Sequence, residues 1–149
     1  MYKVHYQKMK SLITLLQNEN RKDPYVLAVI LTESYFRNQI TMFCEILYWY
    51  YCYFFYSERM KKISIGFAQV QIEHWVTFGY FNSVYPSVKK AAMVFDPVLN
   101  YEICNKYLAS KEVLSKNSLR NVGEAYRGKI GLHYMDTITY FYNEVISKK

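Results

Sequence analysis

Glycine is scarce in this chain. Five residues of 149 is about half the usual ~7% share. That excludes collagen-like repeats and glycine-rich linkers, and it argues against glycine-hungry β-sandwiches. Cysteine occurs three times, and Cys44, Cys52 and Cys104 are an odd set without the short pair spacing of zinc sites. They make no disulfide framework. His5, His74 and His133 are isolated, so no metal and no cofactor is expected. Long apolar runs are missing too. The first apolar stretch, Leu12 to Leu16, is interrupted by Thr14 and is shorter than the about 7–15 residues of a secretory h-region. The run from Ile40 to Tyr56 contains Glu45 and falls short of the ~20 residues of a membrane-spanning helix. The reading is therefore a soluble chain without a signal peptide. Its length suits one domain, residues 1–149, able to bury roughly 68–70% of its unfolded surface.

What is present is aromatic and basic. There are 17 Tyr, 9 Phe and 2 Trp, and hydrophobic residues make up 52% against 21% charged; that balance excludes disorder. The aromatics concentrate in Leu47 to Tyr56, which reads LYWYYCYFFY. The net charge of +7 favours a polyanionic partner, whether nucleic acid, anionic lipid or the acidic bacterial wall. It does not choose among them, because no Lys/Arg run exceeds the pairs Lys61-Lys62, Lys89-Lys90 and Lys148-Lys149.

Apolar periodicity predicts helices at 3–18, Pro24 to Tyr35, Gln39 to Met60, Phe67 to Phe78, Val88 to Val94, Pro97 to Lys111, Ser118 to Arg127 and Leu132 to Ser147. Asp23-Pro24 and Asp96-Pro97 are start signals, each an N-cap acceptor followed by proline at the first helical position. The segment Val26 to Leu31 is apolar all round, as a helix buried on every side would be. No convincing alternating strand is visible, so the class is all-α.

Glu33 stands at the end of that buried helix. Burial and the negative helix C-terminus both favour the protonated carboxyl. Leu31, Thr32 and Tyr35 supply no cation, and Arg37 opposes the effect only if the helix continues. A carboxyl that holds its proton is what a general acid needs. The alternative is an exposed helix-end Glu, or one paired with Arg37.

Further fragments follow in order: Glu33-Ser34, then Gly66 and Gln69 in SIGFAQ, then Asn100 in the first turn of a capped helix, then Ala125-Tyr126 before a glycine, then Tyr140 in TITYFYNEV. This set resembles the lysozyme-like lytic transglycosylases, including goose-type lysozyme relatives, over about residues 20–146. Two features depart from that pattern. Arg127 stands where family members usually carry Asn, and the interval from Glu33 to Gly66 is longer. The excess holds the aromatic helix, an insertion at about 39–60.

The resemblance implies a lysozyme-like helical domain with a substrate cleft and peptidoglycan glycan strands as partner. It implies that Glu33 protonates the glycosidic oxygen between MurNAc and GlcNAc, then takes a proton from the MurNAc C6 hydroxyl as a 1,6-anhydro ring closes. Ser34 would orient the Glu33 carboxyl. Gln69 would bond a sugar amide or hydroxyl. Tyr126 would hold Glu33 or stack on a sugar, and Tyr140 would line the same cleft. Gly66 and Asn100 are structural residues near the site. Hydrolysing glycosidases use two carboxylates; Glu45, Glu58 and Glu73 are the candidates for a second. The aromatic helix is expected to pack one face on the Pro24–Leu31 helix, leaving another for substrate or a partner.

Two rival readings stay open. One is a catalytically inactive lysozyme-like module that binds the wall. The other, a basic helical protein that binds nucleic acid through stacking tyrosines, lacks any clustered basic helix, so no nucleic-acid partner is expected. The chain is expected to be a monomer that acts on the cell wall. Without a visible secretory segment, it would arrive by phage lysis, a specialised secretion system or another non-classical route. A secretion machine, a membrane surface and an inhibitor protein are the further partners such routes suggest.

Overall fold

The structure is a computed structural model and describes residues 1–37, 39–114 and 118–147. The pair Lys148-Lys149 lies outside the described residues. Helices α1 (Tyr2–Asn18), α2 (Pro24–Tyr35), α3 (Gln39–Phe55), α4 (Ile72–Thr77), α5 (Val88–Ala91), α6 (Pro97–Ser110), α7 (Leu119–Arg127) and α8 (Leu132–Ile146) carry the fold. Helix accounts for 72% and strand for 3%, which makes the chain mostly helical, as its patterning predicts. No helix among the described residues is long and apolar enough to cross a membrane.

The helix at the centre is α2. Every residue from Val26 to Ser34 is buried, so α2 has no solvent face, and α8, α6, α1 and α7 pack around it. Each fully buried Val, Leu or Ile contributes about 1.5–3 kcal/mol relative to exposure. Asp23 starts the helix as its sequence predicts: its side chain accepts from the Tyr25 and Val26 amides at 2.9 and 3.2 Å, with Pro24 at the first helical position. Asp96 repeats the device for α6, accepting from Val98 and Leu99 at 2.8 and 3.0 Å. Caps of this kind stabilise a helix by about 1 kcal/mol.

Three sequence expectations need correction. The helix expected over 39–60 ends at Phe55 and gives way to a 3-10 helix, Ser57–Lys62. That turn carries Met60 into the core, where it is fully buried. The helix expected from Phe67 starts only at Ile72. Before it, β1 (Ser64–Ile65) and β2 (Val70–Gln71) form a small antiparallel hairpin, Ser64 opposite Gln71 and Ile65 opposite Val70. Gly66 at φ 82° and Gln69 at φ 53° bend the chain where a helix would need negative φ. Lastly, the main neighbour of α3 is the 3-10 helix rather than α2.

The hairpin turn is pinned by Asn100, which is fully buried. Its Nδ2 donates to the Val94 and Asp96 carbonyls at 2.6 and 2.8 Å. Its Oδ1 accepts from the Ala68 amide at 3.3 Å. Gly66 lies so close that a Cβ there would collide with Asn100 Oδ1 and the Val94 carbonyl. Gly66→Ala therefore combines left-handed backbone strain with overpacking and is expected to cost about 2–4 kcal/mol. Gly79 has the same φ, 80°, but nothing near its missing Cβ, so Gly79→Ala should cost only about 1–2 kcal/mol. Urea unfolding of both variants measures the difference; equal losses would show that the contact with Asn100 does not matter.

Candidate active site

Glu33 ends the buried part of α2, and its carboxylate is buried with it. Three groups meet it. Tyr134 on α8 donates its hydroxyl to Oε1 at 2.9 Å. Arg37 donates Nη1 to Oε2 at 3.1 Å. Arg127 at the end of α7 brings Nη1 to 3.8 Å from Oε1, its guanidinium stacked over the rings of Phe36 and Tyr134. The helix does not continue past Tyr35, yet Arg37 reaches back. Of the readings the sequence left open for Glu33, pairing with Arg37 is the one the structure shows. A carboxylate drawn into the interior requires such compensation, because an unpaired buried charge is strongly destabilising.

Arg37 does not serve Glu33 alone. Its Nε donates to Glu45 Oε1 at 2.7 Å, and Glu45 Oε2 accepts from Gln69 Nε2 at 3.1 Å. A continuous polar chain therefore runs from Tyr134 through Glu33, Arg37 and Glu45 to Gln69. Gln69 also donates to the Gly66 carbonyl at 2.9 Å, while its buried Oε1 has no hydrogen-bond partner among the described residues. Of the three candidate second carboxylates, Glu45 belongs to this chain. Glu58 and Glu73 are exposed on other elements.

Tyr126 closes the other side of the turn. Its hydroxyl donates to the Ala68 carbonyl, and its ring meets Tyr107 edge-on at 5.5 Å. Burial pushes the hydroxyls of Tyr126 and Tyr134 well up from the usual range, and in Tyr134 the Glu33 charge adds to it. Both remain donors. Two concavities flank Gln69. One, of about 450 Å³, is lined by Arg37, Glu45, Tyr48, Arg59, Lys62 and Gln69 among others. A smaller one, of about 130 Å³, lies against Gln69, His74, Tyr107 and Tyr126.

Glu33, Gly66, Gln69, Asn100 and Tyr126 thus converge from separate parts of the chain. Two residues expected with them sit differently. Ser34 Oγ donates to the Leu31 carbonyl at 2.9 Å, which leaves its oxygen to accept from His5 Nε2 at 3.0 Å; it anchors α1. The ring of Tyr140 packs on Tyr2 and Phe141 at 5.2 and 5.6 Å. Sequence reading missed Tyr134, six residues earlier on the same helix. The signal was there: Tyr134, Ile138, Phe141 and Val145 make the buried stripe of α8, and Tyr140 lies off it.

The chain matches no family model, no curated protein and no solved structure.

The linkage through Arg37 is testable by a double-mutant cycle. Arg37→Met should destabilise by about 1–3 kcal/mol, less than a fully buried pair would lose, since the Arg37 and Glu45 side chains keep 22% and 28% of their exposure. Glu33→Gln with Arg37→Met should cost less than the two single changes added together, by about 1 kcal/mol. Strict additivity in chemical denaturation would remove the Glu33–Arg37 pair from the account.

Proposed function

We propose that this chain is a lysozyme-like enzyme that cuts the β-1,4 bond between MurNAc and GlcNAc in peptidoglycan, with Glu33 as general acid and base. One observation carries the reading. The residues of the resembling motifs, scattered from position 33 to position 126, meet around one turn: Asn100 and Tyr126 hold Gly66 to Gln69 in place, and Gln69 joins Glu33 through Glu45 and Arg37.

In this reading Glu33, which must take up a proton for this step, gives it to the glycosidic oxygen as the bond to C1 breaks. The carboxylate so formed takes the proton of the C6 hydroxyl while that oxygen bonds C1, closing the 1,6-anhydro ring. No water is consumed and no second carboxylate is required. If water attacks instead, Glu45, the carboxylate that shares Arg37 with Glu33, would activate it. Arg59 and Lys62, with Arg37, give the larger groove an excess of positive charge over Glu45; this suits a strand whose free lactyl groups or attached peptides carry carboxylates. Gln69 Oε1 is an acceptor without a donor among the described residues and suits a sugar N–H or O–H. The place of action is the cell wall, reached by phage lysis or a specialised or other non-classical export route.

The second reading is a wall-binding module without catalysis. It is favoured by Arg37 and Arg127, which hold Glu33 as a structural counter-ion would be held. Digestion of purified peptidoglycan and analysis of the muropeptides decides between the two. Anhydro products support a transglycosylase, and new reducing ends a hydrolase. Binding without products supports the module. Glu33→Gln should lower the cleavage rate by about 100- to 10,000-fold while the circular dichroism spectrum stays native. Undiminished cleavage by that variant would remove Glu33 from the mechanism.

A further inference from the structure

Helix α3 carries an apolar face that none of the described residues covers. At about 100° per residue, Ile40, Phe43, Leu47, Tyr51, Phe54 and Phe55 fall within one sector roughly 120° wide. All six are exposed, Ile40 by 74% and Phe55 by 72%. No charged residue lies in that sector; the only charged residue of α3, Glu45, belongs to the polar chain at the candidate site. The opposite side of α3 is the packed one, with Trp49 and Cys52 fully buried. A surface helix ordinarily turns polar residues outward, and a contiguous apolar patch on an otherwise basic protein marks an interaction surface.

The segment that follows identifies the occupant. In the 3-10 helix Ser57–Lys62, the cations Arg59, Lys61 and Lys62 are exposed and outnumber the one acid, Glu58. We propose that α3 and this basic turn dock the protein on an anionic lipid surface, with α3 lying in the plane of the interface. Phenylalanine, leucine and isoleucine enter the acyl boundary, tyrosine rings suit the headgroup level, and the cations meet lipid phosphates. A second copy of the chain is a poorer partner, because it would set two basic turns and two surfaces of net charge +7 against each other. Spanning is excluded by length: α3 has 17 residues, short of the ~20 required. Tyr48 belongs to the exposed part of α3 and also lines the larger groove, so a docked protein would hold the rim of that groove beside the bilayer.

The test uses the whole chain and flotation with vesicles of phosphatidylcholine, alone or mixed with phosphatidylglycerol. The vesicles carry no glycan, so the outcome is independent of the proposed cleavage. Binding to the mixed vesicles should exceed binding to the neutral ones by about tenfold or more and fall as salt rises. The combined variant Phe43→Ser, Phe54→Ser and Phe55→Ser should lose about tenfold or more of that binding. These side chains are largely outside the core, and a native thermal midpoint verifies that the variant folds. Lys61→Gln with Lys62→Gln provides an independent arm and should weaken binding to the mixed vesicles alone. No binding to mixed vesicles overturns the proposal. So does equal binding by the wild type and the serine variant. A dimer in solution that the serine changes disperse, without vesicle binding, assigns the face to a second copy and likewise overturns it.

Discussion

The rest of the molecule depends on the complete burial of α2. Its residues from Val26 to Ser34 leave no side for water, so the other helices must surround it. A helix in that position ends with backbone carbonyls and, here, with a carboxylate that cannot reach solvent freely. The chain answers with a tyrosine hydroxyl from α8 and guanidiniums from beyond α2 and from the end of α7. The polar cluster is thus a consequence of the packing: burying Glu33 forces donors to gather where α2, α7 and α8 meet.

A second constraint fixes what that cluster faces. The turn between β1 and β2 is too short to hold itself, with two residues paired in each strand. Asn100 satisfies the Ala68 amide from one side, and Tyr126 binds the Ala68 carbonyl from the other. Both come from helices of the α2 bundle, so the turn takes its position from the core. Gln69, the last residue of the turn, is left in a left-handed conformation that only local fixation sustains in a non-glycine residue. Its amide then meets Glu45. Fixation of the turn and continuity of the polar chain are in this sense one property.

Much of this was legible in the sequence. The boundaries of α2 and α6 follow from Asp-Pro pairs because capping is local chemistry. The buried character of α2 follows from its lack of a polar face. The candidate residues Glu33, Gly66, Gln69, Asn100 and Tyr126 were visible through an order of short motifs, and they do assemble. What escaped was set by long-range packing. Arg127 was visible only as an oddity, since its role rests on the fold bringing residue 127 to residue 33. Tyr134 was passed over for Tyr140 although the inward stripe of α8 points to it. The hairpin escaped because two-residue strands carry no alternation to detect, and the break after Phe55 has neither glycine nor proline to announce it. There the burial of Met60 overrides local helix propensity.

The two most apolar helices show why hydropathy alone does not locate a core. Both α2 and α3 are rich in large apolar side chains on every side, yet α2 is enclosed, whereas α3 buries Trp49 and Cys52, half-buries Tyr50 and Tyr53, and leaves Ile40, Phe43, Leu47, Phe54 and Phe55 exposed. Their neighbours make the difference. Four helices converge on α2, whereas α3 leads into a basic turn at the edge of the fold. Much of the exposed apolar surface therefore lies on α3, beside the cations of the basic turn, although Val4, Leu15 and Leu132 are exposed elsewhere. Glu45 is the point where that helix is tied to the rest. It is the residue of α3 that joins the Arg37 and Gln69 links, so whatever covers the aromatic face bears on the same helix that supplies the second carboxylate of the polar chain.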